Sequence, residues 1–409
     1  MMEGWKRIKI GELGKVITGN TPPKKDPTNY GCEYPFIKPT DMDLDRRYVT
    51  TWDENYSEKA FKKYKNSYIP PRATGVVTIG TVGEKIFQAD RYCFTNQSVN
   101  VVIANEDYDE DFVYYLLKIN LPKVLIANPG TASGRHHVSK SNFCAIKIDV
   151  PKSIETQRKI ANILSAYDNL IENNLKRIKL LEEQAQQTYE EWFVRFKFPG
   201  YENVEFDEES GLPVGWERVK IKDIGIVVTG KTPPTSKDEN YNGEIPFIKT
   251  PDMANFPYIT ETNQTLSKVG AQTQKGKYLP KNSLVVSCIG SAGAYGLVSK
   301  EAHTNQQINA IKFNEDKFTF YIYGFAKSLK ELLEALGSNG ATMTNVNKSK
   351  FENIEIVKPI DDLLNRFHNN VKNNFELILN LQNQNQLLKE ARDILLPRLM
   401  GGIIDVEEM

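Results

Sequence analysis

Gly225-Ile-Val-Val-Thr-Gly230-Lys231-Thr232 satisfies every fixed position of the phosphate-cradling pattern G-x-x-x-x-G-K-[ST]. A working cradle follows a strand and opens a helix, so that main-chain amides and the helix end surround the phosphates. Here the β-branched interior reads as the strand itself, and Pro233-Pro234 disfavours helical geometry at Thr232. The stretch is therefore expected to be a structural turn, and nucleotide binding that vanished on Lys231→Ala would mark the rejected alternative. Two shorter motifs point to a different chemistry. Gly80-Thr81-Val82-Gly83 and Gly290-Ser291-Ala292-Gly293 follow apolar runs and have lysines nearby, a pattern that brings main chain close to a phosphate, although tight hairpins use the same residues. Arg135-His136-His137 lies in a Gly/Ser/Thr-rich loop before Lys140, and a second polar stretch holds Asn345, Asn347 and Lys348. Polar side chains of this reach read base edges.

Catalytic constellations are poor. The four histidines are too scattered for a metal cluster, and Cys32, Cys93, Cys144 and Cys288 have neither zinc-ligand nor disulfide-framework spacing. Asn128-Pro-Gly-Thr131 lacks the aromatic-ended Asn/Asp-Pro-Pro motif of amino-methyltransferases. Pro251-Asp252 with Glu315-x-Lys317 fits a nuclease pattern only in one of two equivalent regions. No active site and no metal are expected.

Charge is balanced overall, 52 basic against 52 acidic residues, but it is segregated. Residues 59 to 83 hold Lys59, Lys62, Lys63, Lys65 and Arg72 with no acid, and residues 262 to 300 hold Lys268, Lys275, Lys277, Lys281 and Lys300 with none. A field depends on where charges sit, so two basic windows suit phosphate contacts despite zero net charge. No apolar run is long enough to span a bilayer and no secretory pattern opens the chain, so a soluble, unprocessed, cytoplasmic protein is expected.

The elements that must position these residues occur twice. Trp5 to Pro23 returns as Trp216 to Pro234 with eleven of nineteen positions identical, and Pro35-Phe-Ile-Lys38 returns as Pro246-Phe-Ile-Lys249. The offset drifts from 211 to 210 at the glycine motifs and to 209 at Asn96-Gln97 and Asn305-Gln306, as unequal loops produce. A repeat this long reads as duplication of a whole domain. Within each copy, short β-branched runs alternate with turn residues, and in the first copy Phe112, Tyr115, Leu116 and Ile119 mark one helix. After each copy comes a long helical stripe. The first, capped by Ser153, runs through Ile160, Leu164, Tyr167, Ile171, Asn174, Ile178, Leu181 and Trp192 without a break before Pro199. The second, capped by Asp361 or Asp362, runs through Phe367, Val371, Asn374, Ile378, Leu381, Asn385 and Leu388 and stops at Pro397 and Gly401-Gly402.

An α+β chain follows. The expected domains are a mixed α/β head over 1–152, a central helix over 153–199, a linker over 200–215, a second head over 216–358 and a C-terminal helix over 359–400. The two apolar stripes pair antiparallel, which makes the repeats pseudo-two-fold and separates the heads, a symmetry suited to duplex DNA. On this reading Lys62, Lys63, Lys65, Arg72, Thr81, Arg135, His136, Lys140, Lys275, Lys277, Lys281, Ser291, Asn345, Asn347 and Lys348 contact DNA. Ile160, Leu164, Tyr167, Ile171, Ile178, Leu181, Trp192, Phe367, Val371, Ile378, Leu381 and Leu388 pair the helices or hold partners. The alternative is a helical adaptor without sequence readout.

The chain resembles the specificity subunits of type I restriction-modification systems. The resemblance rests on Gly-Trp at the head of each copy, Gly-x-Thr-Pro and Pro-Phe-Ile-Lys within each, Gln157-Arg158-x-Ile160-Ala161, Glu191-Trp192-Phe193-Val194-x-Phe196, and Leu395-Leu-Pro-x-Leu399-Met-Gly401-Gly. It implies two target-recognition domains that each read half of a bipartite DNA sequence, and helices that act as spacer ruler and dock two modification subunits. S-adenosylmethionine, ATP and magnesium would belong to partner subunits, restriction subunits among them, and this chain would be non-catalytic. Asp361-Asp-Leu-Leu-Asn365-Arg366 lacks the Gln-Arg of the first helix, which implies a weaker contact there. Unlike surfaces on the two heads imply an asymmetric target.

Overall fold

The computed structural model describes residues 4–128, 136–253, 256–290, 292–337 and 344–406. The chain forms two compact units. One comprises Met1–Asn173 with Asn385–Met409, the other Asn174–Gln384. Each unit therefore contains one head and a stretch of each long helix.

In the first unit an antiparallel sheet runs in the order Gly14–Thr18, Val99–Ala104, Thr74–Val77, Ile86–Gln88. These are the β-branched runs of the sequence, and both faces are covered: Val76 and Val102 point into one core, Val77 and Val101 into another. The helix Glu110–Ile119 begins at Asp109, whose carboxylate accepts the Phe112 N–H at 2.9 Å. A second, smaller sheet orders Tyr30–Gly31, Glu54–Tyr56, Tyr34–Ile37 and Phe94–Thr95 around an aromatic cluster of Tyr34, Phe36, Tyr56, Phe61 and Phe94. A ribbon of Trp5–Lys9 with Lys147–Pro151 ties the first strand to the residues that lead into the long helix.

The second unit repeats this plan. Its main sheet runs Gly225–Thr229, Ile308–Phe313, Leu284–Ser287, Tyr295–Val298, Tyr258–Ile259, and a smaller one runs Thr265–Leu266, Tyr241–Ile248, His303–Thr304. The ribbon is Glu217–Lys220 with Glu355–Lys358. Gly225–Thr229 is a strand, and the glycine motif after it lies against main chain. A Cβ at Gly230 would sit 2.1 Å from the Asn305 carbonyl oxygen, and one at Gly19 would sit 2.2 Å from that of Thr95. Lys231 N–H donates to the Thr304 carbonyl at 3.0 Å. Main chain fills the space that a phosphate would need.

The long helices span Ile154–Tyr189 and Asp361–Met400. Ser153 caps the first, accepting the Glu155 N–H at 3.2 Å. They pair antiparallel within each unit. In the first unit Asp168 meets Arg392 and Ile171 meets Asn385, whereas in the second Asn174 meets Gln384 and Gln184 meets Asn374. Asn174 and Asn385 are buried, as the register role requires.

Two helix expectations are corrected. The first helix does not run on to Pro199: it widens into a π turn at Glu190–Val194, and Phe196 takes a left-handed φ of 57°. The widening accompanies the packing of Trp192 and Phe193 on Phe367, and of Phe193 and Phe196 on Trp216. The second helix runs through Pro397 and ends at Met400, just before Gly401-Gly402, because Leu396, Leu399 and Met400 are buried in the first unit's core and hold the last turn on. Asp361 is a first-turn residue whose carboxylate lies 3.0 Å from the Lys317 ammonium.

Candidate nucleic-acid interface

Each head extends the end of an interior strand of its main sheet into the same small construction, a polar edge at one end of the sheet. In the first unit, the strand Thr74–Val77 leads through Thr78 and Ile79 into the Gly80-x-x-Gly83 turn. Gly80 N–H donates to the His136 carbonyl at 3.1 Å, Val138 N–H donates to that of Thr78 at 2.8 Å, and Ile79 bridges His137. Gly80 and Gly83 have φ of 88° and 75°, which favour glycine, and a Cβ at Gly83 would lie 2.8 Å from that of Leu125. In the second unit Ile289–Gly290 pairs Thr344–Asn345, and Val346 N–H donates to the Cys288 carbonyl at 3.0 Å. The glycine turn and the polar loop, separated by more than fifty residues in sequence, thus form one edge in each head.

A buried asparagine lies beneath each edge. Asn100 donates to the Thr78 hydroxyl at 2.9 Å and accepts from that of Thr18 at 2.6 Å. Asn309 donates to the Val346 carbonyl at 3.2 Å and accepts from Thr229 at 2.6 Å. Sequence reasoning missed this pair. The available signal was an asparagine at the same offset inside both apolar runs, Val99-Asn100-Val101 and Ile308-Asn309-Ala310. Cys288, beside Asn309, has its thiol pushed up to about 11 by burial and stays protonated.

The basic windows form a separate surface element in each head. In the first unit, Lys62 and Lys63 lie on the helix Glu58–Tyr64 and Lys65 on the turn after it, all exposed over the aromatic cluster. The Lys63 ammonium stands 5.2 Å from the Tyr64 ring centre, and Lys62 is 3.9 Å from Glu58. In the second unit the helix Lys268–Gln272 and the turn Lys275–Lys277 lie in the corresponding place. Lys275 and Lys281 are exposed and Lys277 half-buried. Thr81, His136, Lys140, Asn345 and Lys348 are exposed too, with Lys348 sharing its charge with Glu352 at 3.3 Å. Arg135 and Ser291 lie outside the described residues.

Four expected roles change. Arg72 is not a free phosphate anchor: its backbone is left-handed, φ 68°, and its guanidinium is bound to Glu110 at 2.8 Å and Asp111 at 2.6 Å. Asn347 is a helix cap, its side chain accepting the Lys350 N–H at 2.9 Å, as Ser139 caps the corresponding helix in the first unit. Tyr167 and Leu388 are half-buried flanks of the helix seam, and the neighbouring Asp168 and Arg392 turn inward instead. Of the other seam residues, Ile160, Leu164, Ile171, Ile178, Phe367, Val371, Ile378 and Leu381 are buried, while Leu181 and Trp192 are partly buried.

Comparison with known proteins agrees with this duplicated plan. The family model described as type I restriction modification DNA specificity domain matches residues 2–183 and again 213–387. The chain is 34% identical over 327 residues to the type I restriction enzyme HindI specificity subunit of Haemophilus influenzae, covering 65% of this chain and 71% of that protein. It is 29% identical over 421 residues to the type I restriction enzyme MjaIX specificity subunit of Methanocaldococcus jannaschii, covering 99% and 94%. In fold it is similar to the crystal structure of a type I restriction-modification S subunit from M. genitalium, with a TM-score of 0.58 at 16% identity over 97% of this chain and 96% of that one. The chain therefore belongs to the type I restriction modification DNA specificity domain family and carries that domain in two copies.

Proposed function

We propose that this chain is the DNA sequence-specificity subunit of a type I restriction-modification complex, each head reading one half of a bipartite, asymmetric target. The observation that carries the reading is the repeated edge, a glycine turn and an exposed polar loop held together over a buried asparagine, present in both heads. The basic helix and turn of each head supply phosphate contacts, which position a duplex without reading it. Asymmetry of the target follows from unlike edges, His136-His137 in one head and Thr344-Asn345 in the other. Two weak readers on one chain also make the second engagement intramolecular, which raises affinity without extra contacts.

In this reading the chain is non-catalytic and works in the cytoplasm. Two modification subunits dock on the long helices and carry S-adenosylmethionine and the adenine-methyltransferase chemistry, and restriction subunits with ATP and magnesium complete the assembly. The helices set the unspecified spacer. Among the described residues no helix is long and apolar enough to cross a membrane, and no group of three or more His, Cys, Asp or Glu could hold a metal ion. The test is methylation mapping by single-molecule sequencing of DNA from cells expressing this chain with its modification subunit. A two-part methylated adenine motif that appears only with this chain supports the reading. Its absence, with the modification subunit active beside a known specificity subunit, favours a helical adaptor without sequence readout.

A further inference from the structure

Asn128 joins two parts of the first head's edge. Its Oδ1 accepts the main-chain N–H of His137 at 3.2 Å, and its Nδ2 lies 2.6 Å from Nδ1 of His136. A main-chain N–H can only donate, so the amide oxygen faces His137 and the amide NH2 faces the imidazole. Nδ1 of His136 must then accept, and the neutral ring carries its proton on Nε2. His136 is exposed, and among the described residues Nε2 meets no hydrogen-bond partner. Its carbonyl meanwhile accepts from Gly80, which fixes the His136 backbone against the glycine turn. The ring is held as a donor of set polarity.

We infer that His136 is a specificity-determining residue of the first head, whose Nε2–H reads the keto oxygen of a guanine or thymine, and that Asn128 is the positioning residue that sets the tautomer. The inference rests on the target-recognition reading above. In the major groove, guanine and thymine present O6 and O4 acceptors where adenine and cytosine present amino donors. An N–H opposite an amino group leaves two donors facing each other, each stripped of water and unpaired. A ring with its lone pair on Nε2 has the opposite preference. The second head has Thr344 and Asn345 at the equivalent edge and no imidazole, so the effect belongs to one half-site.

The test compares wild type, Asn128→Asp and His136→Ala as full chains assembled with the modification subunit, with methylated motifs mapped in vitro. An aspartate still accepts from His137 but now also accepts from the ring, which moves the proton to Nδ1 and the lone pair to Nε2. The expected result for Asn128→Asp is replacement of one keto base by an amino base at a single position of one half-site, with the other half-site unchanged. His136→Ala should relax that same position by about three- to tenfold. An unchanged motif in both variants overturns the inference, as does a uniform loss over all sequences, which would make His136 a phosphate contact. A wild type with no bipartite motif would sink the function proposed above, and base readout by His136 with it. Nitrogen-15 histidine NMR of the free chain separates the cases: Nε2–H in wild type and Nδ1–H in Asn128→Asp supports the tautomer lock, and Nδ1–H in wild type overturns it.

Discussion

Arg392 of the second long helix donates to Asp168 of the first at 2.6 Å, and both side chains are almost wholly buried, 1% and 2% exposed. The pair is the centre of a larger network. Tyr115 donates its hydroxyl to the other Asp168 oxygen at 2.5 Å, Arg47 reaches Tyr115 at 3.3 Å, and Arg47 continues to Asp111 and Gln88. Head, first helix and second helix of the first unit are thereby locked by charge. At the corresponding joint of the second unit Phe375 stacks on Phe320 at 4.3 Å and meets Tyr323 and Tyr258 edge-on, while Gln382 bonds the Tyr258 backbone. Removing one member of a buried pair strands the other charge, so Arg392→Ala is expected to destabilise the first unit by about 3–5 kcal/mol. Replacing both, as Asp168→Leu with Arg392→Met, should recover most of that loss. Chemical denaturation of wild type, Asp168→Leu, Arg392→Met and the double variant gives the coupling directly, and additive losses would mean that the pair does not act as a unit.

Asn100 and Asn309 predict a second asymmetry between stability and function. Asn100→Leu strands the half-buried Thr18 hydroxyl and leaves the buried Thr78 hydroxyl only the Ser98 carbonyl at 3.4 Å, and should cost about 1–3 kcal/mol. Because Thr78 also receives Val138 N–H at its carbonyl, loosening it should blur the half-site read by the first head. Asn309→Leu should do the same for the second half-site only. Methylation mapping beside thermal melts would check both, and blurring of both half-sites by either variant would contradict the assignment.

The duplicated heads and the long helices were legible, because each leaves a local period or a repeated spacing; the pairing of each glycine turn with its polar loop was not, because more than fifty residues separate the partners. The helix seam was legible only where it is apolar. Three-four periodicity selects Tyr167 and Leu388, but a paired acid and base can turn inward at adjacent positions, and no single stripe shows that Asp168 has Arg392 waiting more than two hundred residues away. Arg72 misled for a similar reason. Its acid-free window spans residues 59 to 83, whereas Glu110 and Asp111, which take its charge, come later in the chain. Asn347 looked like a reader because a cap and a base contact use the same short polar side chain. Asn128, which orients His136, lies on the far side of the loop and carries no motif.

Acidification should weaken the second unit. Burial pulls the imidazole of His303 below its ordinary range, aided by Lys312, and burial does the same to His368. Among the described residues neither Nδ1 atom has a hydrogen-bond partner. The unfolded chain then binds more protons than the folded one between the lowered values and about 6.5, so stability rises with pH through that window. The contribution is complete above about 6.5 and is lost as pH falls below it. Melts at neutral and mildly acidic pH should show a falling transition that His303→Phe together with His368→Phe flattens. An unflattened acid limb would place the titrating groups elsewhere.

Salt dependence separates the basic windows from Arg72. Each phosphate contact that releases a counterion contributes about 0.9 to the slope of log affinity against log salt. Converting Lys62, Lys63 and Lys65 to alanine should therefore flatten the slope by up to about 2.7, and Lys275, Lys277 and Lys281 by a similar amount, with affinity falling alike for target and non-target duplexes. Lys277 is half-buried and should contribute least of the six. Arg72→Ala should leave the slope alone, because its charge is spent on Glu110 and Asp111, and should instead release Glu110 and Asp111, the latter also bound to Arg47, and lower the melting temperature of the first unit. Fluorescence anisotropy over a salt series, run beside a melt of each variant, reads both effects. A lysine triple variant with an unchanged slope would reduce its window to a solvated face, and a flattened slope for Arg72→Ala would return that residue to the DNA surface.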